Sequence, residues 1–162
     1  RDDPRESPGG GMTGAGLHVL DAFVNLAGPI RKVNASVYSQ KPPPDPRDAA
    51  AALIQFESGA TGVLATVRAA PMYWRIMVFG SKGSAEAREE TMLTVAKIGE
   101  QPATQVYPAA DSLGLLLESF AETIETGKPF PVSTADLLDV VGAFEAIIRS
   151  MAEDRPINVA RA

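Results

Sequence analysis

The chain has 162 residues and a formal net charge of −5, and 45% of its residues are hydrophobic. These values are typical of one soluble globular domain with a substantial core. The acidic balance and the scattered Lys and Arg residues argue against a nucleic-acid partner, and the lack of cysteine excludes disulfides and thiol catalysis. Since no apolar run is long enough for a membrane span, we expect a cytoplasmic protein without a membrane partner.

The first predicted element is a helix over residues 14–27, which follows a polar and glycine-rich lead-in. Thr13 is a candidate N-cap, and Gly28-Pro29 is a typical helix end. The apolar positions recur at helical spacing on one face: Leu17, Leu20 and Val24.

Strand patterns of period two follow. The longer strands are predicted over Ile30–Ser39, Asp48–Glu57, Thr61–Ala70 and Trp74–Phe79, with shorter ones over Ser84–Arg88 and Met92–Lys97. Lys41–Pro46 reads as a stiff proline-rich loop. Ser58-Gly59 predicts a two-residue hairpin turn. On that register one face of the sheet carries Val33, Ala35, Val37, Ala52, Ile54, Phe56, Val63, Ala65 and Val67.

The last third of the sequence is helical. One helix is predicted over Asp111–Thr126, and Ser133 with Asp136 resembles a capping box before a final amphipathic helix. Helix, strands and then helices predict the α+β class: one domain over residues 1–162, with an open, mainly antiparallel sheet and three helices on one face.

The other face of the predicted sheet is too apolar for a solvated surface and too polar for a core. Such a mixture suits a protein–protein interface, so we expect a homodimer formed sheet to sheet about a two-fold axis. The alternatives are a solvated face or a monomer covered by another segment. The residues assigned to this face are Asn34, Tyr38, Leu53, Gln55, Leu64, Thr66, Arg68, Met77 and Phe79.

The glycine-rich segment Gly9–Gly16 leads into the helix that carries His18, the one histidine of the sequence. Taken alone, His18 is most simply a helix histidine that interacts with Asp21 one turn further on. The glycine-rich loop directly before it favours proton transfer instead. Gly9-x-Gly11-x-x-Gly14 matches the dinucleotide fingerprint in letters but not in context, because a polar, proline-containing segment precedes it. One histidine and no cysteine predict no metal site.

Four segments in a fixed order carry a resemblance to a known family. They are the glycine triplet with Gly16-x-His18-x-x-Asp21, the strand–turn–strand Ala49–Thr61, the turn Val78–Ser84, and Lys128–Ser133 before the last helix. In this order they resemble the C-terminal domain of the Gfo/Idh/MocA-type oxidoreductases, over about residues 9–159.

The resemblance implies a dihydrodipicolinate-reductase-like fold and a substrate-binding and oligomerisation domain of an NAD(P)-dependent dehydrogenase. Its substrate would be a small sugar- or polyol-like molecule oxidised or reduced at a hydroxyl or carbonyl group. NAD or NADP would bind an N-terminal dinucleotide-binding domain, so we expect no cofactor on this chain and no activity from it alone. His18 is the implied acid/base, and the implied substrate-binding residues are Gly11, Thr13, Gly14 and His18.

One position departs from the family pattern. Many members carry an aspartate four residues before the histidine, and Gly14 stands there in this chain. The departure keeps a second function open, a non-catalytic ligand-sensing or assembly module that retains the fold.

Overall fold

The computed structural model describes residues 9–38, 49–68, 70–71 and 73–160. The predicted loop Lys41–Pro46 lies outside the described residues. The chain divides into two compact units, unit 1 with residues 1–69 and 132–162, and unit 2 with residues 70–131. None of the helices in the described ranges is long and apolar enough to cross a membrane.

The described elements confirm the α+β class. A 3₁₀ turn at Gly10–Met12 comes first. The helices are α1 (Ala15–Ala27), α2 (Ser112–Thr126) and α3 (Thr134–Glu153). The strands are β1 (Ile30–Tyr38), β2 (Ala49–Phe56), β3 (Thr61–Val67), β4 (Arg75–Gly80), β5 (Gly83–Arg88), β6 (Met92–Lys97), β7 (Ala103–Val106) and β8 (Ile157–Asn158).

Unit 1 is a four-stranded antiparallel sheet in the order β3-β2-β1-β8, with α1 and α3 packed on one face. Leu20 and Val24 of the predicted α1 stripe are buried, and α3 contributes Val140 and Ile147, whereas its apolar residues Leu137 and Val141 are exposed. β1 and β2 face the core as predicted. The core includes Leu20, Val24, Val33, Ala35, Ala52, Ile54, Phe56, Val140 and Ile147.

The predicted orientation of β3 is wrong. Leu64 is 2% exposed and faces the core, whereas Val63 is 69% exposed. The cause is the hairpin loop. Gln55 pairs with Thr61, and the Phe56 N–H donates to the Ala60 carbonyl at 2.9 Å, so the loop has three residues, 57–59, instead of two. One extra residue moves every side chain of the following strand to the other face. Gly59, at a φ of +87°, closes this longer loop.

Hydrogen bonds hold the three-residue loop in place. The Ser58 hydroxyl donates to the Ala27 carbonyl at 2.9 Å, and the Glu57 N–H donates to the Pro29 carbonyl at 2.9 Å. The loop is thus tied to the end of α1. The same register puts Gly62 on the core side, where a Cβ would lie 3.2 Å from the rings of both Phe23 and Phe56.

Two of the three predicted helix ends are confirmed. Gly28 ends α1. A cap that was not predicted begins α2, where the Asp111 side chain accepts a hydrogen bond from the Gly114 N–H. Ser133 and Asp136 form the predicted capping box of α3. The prediction of Thr13 as the N-cap of α1 is wrong, because Gly14 is the N-cap.

Unit 2 holds a second antiparallel sheet in the order β4-β5-β6-β7, so the predicted strands are divided between two sheets. On one face Glu86 accepts hydrogen bonds from Arg75 at 3.5 Å and from Arg88 at 3.2 Å. The hydrogen bond to Glu86, together with the negative charge of that carboxylate, raises the pKa of Arg88. The helix of this unit, α2, has no buried residue.

Candidate functional site

The glycine-rich segment forms the 3₁₀ turn and the start of α1. Part of it is closed by packing. A Cβ at Gly9 would lie 3.0 Å from the ring of Phe144, and one at Gly16 would lie 2.9 Å from the sulfur of Met12. These two glycines therefore make room for the protein's own side chains, and Met12 is fully buried.

Gly14 is different, because among the described residues no atom beyond its two chain neighbours lies within 4 Å of the place where its Cβ would be. It is the N-cap of α1 but offers no side-chain acceptor to the first N–H groups of the helix. Those N–H groups give the helix start a partial positive charge that attracts oxygen ligands. The segment thus leaves open space beside a helix N-terminus.

His18 lies one turn into α1 and is exposed. The buried positions of the helix are Gly16, Leu20 and Val24, so His18 is on the side turned away from the core. Asp21 and Asn25 share this exposed side. Among the described residues no hydrogen bond or ion pair joins His18 to Asp21, so the satisfied-histidine interpretation has no support here.

The structure brings the four predicted site residues together over one turn and one helix start. Gly11 lies in the 3₁₀ turn. The Thr13 hydroxyl accepts a hydrogen bond from the Gly9 N–H at 3.1 Å, so it holds the turn closed. Gly14 and His18 are exposed. The described residues contain no group of three His, Asp or Glu side chains able to hold a metal ion.

The open face of the unit 1 sheet is a second candidate surface. It carries four large apolar side chains, namely Tyr38 at 69%, Leu53 at 51%, Val63 at 69% and Val67 at 53% exposure. Leu53 pairs directly with Val63 across β2 and β3. Four predicted members of this face are misplaced. Leu64 is in the core and the Thr66 hydroxyl is buried, and both corrections follow from the hairpin loop length. Met77 and Phe79 lie in β4, which belongs to the second sheet.

A family model described as the GFO/IDH/MocA C-terminal domain matches residues 1–86, which is more than half of the chain. The chain belongs to the GFO/IDH/MocA family. The match includes the glycine-rich segment, α1 with His18, and the whole hairpin of β2 and β3. Both candidate surfaces of unit 1 are therefore built largely from the part that identifies the family.

Solved structures of oxidoreductases share the fold. An aldose-aldose oxidoreductase from Caulobacter crescentus, complexed with glycerol, is 25% identical over 93% of this chain and 48% of its own, with a TM-score of 0.81. A levoglucosan dehydrogenase complexed with NADH and L-sorbose is 22% identical over 94% of this chain and 50% of its own, with a TM-score of 0.79. An NAD-binding oxidoreductase from Klebsiella pneumoniae is 20% identical over 99% of this chain and 53% of its own, with a TM-score of 0.80.

The chain of this GFO/IDH/MocA member spans about half the length of the solved structures that it matches. Among curated protein sequences, none matches it significantly.

Proposed function

We propose that this chain is the substrate-binding and oligomerisation half of an NAD(P)-dependent oxidoreductase that acts on a hydroxyl or carbonyl group of a sugar- or polyol-like substrate. The observation that carries the proposal is the exposed His18 beside the open helix start at Gly14, in a chain of the GFO/IDH/MocA family. The neighbours named as acting on aldose and levoglucosan support a sugar-like substrate.

The chemistry assigned to this chain is proton transfer. In the oxidative direction, a ring nitrogen of His18 takes the proton of the substrate hydroxyl, and in the reductive direction it returns that proton to the carbonyl oxygen. The N–H groups at the start of α1 stabilise negative charge that develops on the same oxygen. An exposed imidazole that the described side chains leave unbonded is available for both steps.

The nicotinamide cofactor, NAD or NADP, would supply the hydride transfer. One observation argues against a dinucleotide on the glycine-rich segment: a Cβ at Gly9, the first glycine of the dinucleotide-like pattern, would lie 3.0 Å from the ring of Phe144, so packing already occupies that space. We therefore assign the cofactor to residues outside this chain. The 162-residue chain alone should show no NAD(P)-dependent turnover.

The test is His18→Gln in the longer polypeptide that contains this chain. We expect kcat to fall by about 100-fold or more with cofactor affinity unchanged. Since His18 is exposed, the free energy of unfolding should stay within about 0.5 kcal/mol of the wild type. Asp21→Asn, one turn further along the same side of α1, is the matched control and should retain kcat. An unchanged kcat in His18→Gln would remove this residue from the mechanism.

The rival function is a non-catalytic ligand-sensing or assembly module. One observation favours it, namely the absence of a side chain at Gly14, where many relatives carry an aspartate. Among the described residues, no atom beyond the chain neighbours of Gly14 lies within 4 Å of a Cβ at this position, so an aspartate side chain has room there. The ψ of Gly14 is −97°, outside the regions allowed to a residue with a Cβ, so Gly14→Asp requires a local backbone shift. If the proposed function is correct, the longer polypeptide should turn over substrate with Gly14 unchanged. Activity that appears only in the Gly14→Asp variant would support the non-catalytic module.

We also propose self-association through the open face of the unit 1 sheet. Exposed Leu53 and Val63 form a cross-strand apolar pair, and Tyr38 and Val67 extend the patch. A two-fold dimer would pair this patch with its own copy and bury about 1,200 Å² or more in total. Charged residues are depleted at the centre of such interfaces, so a single aspartate there should prevent pairing.

Sedimentation of the 162-residue chain at micromolar concentration tests the dimer. The wild type should sediment as a dimer, and Val63→Asp and Leu53→Asp should sediment as folded monomers. Asn25→Asp adds the same charge to the exposed side of α1 and should remain dimeric. A wild-type monomer would contradict self-association of this chain.

A further inference from the structure

Helix α2 carries a stripe of large apolar side chains that are exposed. No described residue of the helix is buried. The side chains of the stripe are between 48% and 69% exposed, and they are Leu113, Leu116, Leu117, Phe120 and Ile124.

The stripe occupies one side of a well-defined helix. Its members follow the spacing i, i+3, i+4, i+7 and i+11, which spans an arc of about 100°. Glu118, Glu122 and Glu125 lie on the opposite side, and small residues flank the stripe. Both helix ends are fixed, by the Asp111 cap and by Gly127 in the left-handed conformation.

A helix of this kind needs a partner. An isolated helix of 15 residues is marginal in water, because packing of the apolar face supplies most helical stability in proteins. The one described aromatic contact of the stripe is the edge-on pair of Phe120 and Phe130, whose ring centroids are 6.3 Å apart. The absence of charge within the stripe indicates an apolar, well-packed partner surface.

We infer that the α2 stripe is the docking surface for the dinucleotide-binding half of the longer polypeptide. This inference rests on the proposed function. The solved structures align with 91–99% of this chain, and the aligned part is only about half of each matched chain. Each of them therefore has a further segment about as long as this chain. A covalently attached half has an effective concentration on the order of millimolar, which favours it over a second copy at micromolar concentration.

Hydrogen exchange of residues 112–126, measured in the 162-residue chain and in the longer polypeptide, tests the inference. We expect near-unprotected exchange in the 162-residue chain and about 100-fold or slower exchange in the longer polypeptide. In the longer polypeptide, Leu117→Asp should restore fast exchange. Leu115→Asp is the matched control, because Leu115 is 56% exposed on the opposite side of α2, and it should leave protection intact.

Three results would overturn the docking proposal. Protection in the 162-residue chain at every concentration would mean that the chain covers its own stripe. Protection that rises with the concentration of this chain would assign the stripe to a second copy. Fast exchange in the longer polypeptide would leave the attached half without contact to α2. NADH and NADPH binding is measured on the same samples to separate the two proposals. If the longer polypeptide binds neither nucleotide while α2 is protected, the proposed function is contradicted and the docking proposal is not.

Discussion

The orientation of β3 leads to a sharp prediction about two adjacent residues. Leu64→Ala should destabilise the chain strongly, because Leu64 is 2% exposed and packs in the core. Buried leucines replaced by alanine cost about 2–5 kcal/mol, from lost transfer free energy and from the cavity left behind. Val63→Ala should cost less than about 1 kcal/mol, because Val63 is 69% exposed and loses only strand propensity.

The assay is denaturant unfolding of both variants and the wild type at protein concentrations where sedimentation shows a monomer. This condition keeps any burial of Val63 in a dimer out of the comparison. Equal slopes of free energy against denaturant would show that the denatured states are comparable. A two-residue turn at Ser58-Gly59 would exchange the roles of the two residues. Equal costs, or a larger cost for Val63→Ala, would therefore refute the three-residue loop.

Three further predictions concern single polar or glycine positions. Thr66→Val should raise the free energy of unfolding by about 1 kcal/mol, because the buried Thr66 hydroxyl has no hydrogen-bond partner among the described residues. The exposed Thr61→Val should leave the free energy of unfolding unchanged, and a loss of stability in Thr66→Val would contradict the unpaired hydroxyl. Ser150→Ala should lower the free energy of unfolding by about 2 kcal/mol or more, since the buried Ser150 hydroxyl accepts a hydrogen bond from the Ala35 N–H at 2.9 Å and donates one to the Arg155 carbonyl at 2.7 Å. A decrease below about 1 kcal/mol in the same assay would contradict both hydrogen bonds. Gly83→Ala should destabilise β5 by more than about 1 kcal/mol, because Gly83 has a φ of +151° and a Cβ there would overlap the Ala96 carbonyl. Amide hydrogen exchange should become faster in β5 and stay unchanged in β1, and unchanged exchange in β5 would contradict this conformation.

Periodicity in the sequence predicts the described elements of the fold well, because each long element has one apolar side. The faces of β1 and β2 and the capping box of α3 agree with the pattern, whereas the apolar side of α2, predicted to pack on the sheet, is exposed. The two-residue strand β8 was not predicted, since two residues carry no period and pair with β1 only through the tertiary fold. All four residues of β7 are exposed, so that strand has no apolar side to recognise.

The orientation of β3 could not be fixed by periodicity. Within residues 61–67, Val63 and Val67 lie on one face and Leu64 lies on the other, so each face carries a large apolar side chain that could be buried. The loop length decides between them, and it depends on bonds from Ser58 and Glu57 to the end of α1. Those bonds join parts of the chain about 30 residues apart, which local sequence patterns do not show.

For the candidate site, the sequence locates the residues but not their surroundings. The burial of Leu20 and Val24 follows from the helical stripe, and it places His18 on the outer side. The closure of Gly9 by Phe144 could not be predicted, because the two residues are far apart in the sequence. This long-range contact is what makes part of the glycine-rich segment structural.

The most direct test of the central claim is NAD(P)-dependent turnover by the longer polypeptide that contains this chain. A panel of aldoses, polyols and anhydrosugars would be offered with NAD and with NADP, and formation of the reduced nicotinamide would be followed by absorbance. We predict turnover with at least one sugar-like substrate, and none when the 162-residue chain is supplied alone. The contradicting result has two parts. The longer polypeptide would bind the nucleotide but turn over no substrate of the panel, and His18→Gln would leave its affinity for the sugars of the panel unaltered. Together they would contradict the assignment of this chain as the substrate half of an oxidoreductase.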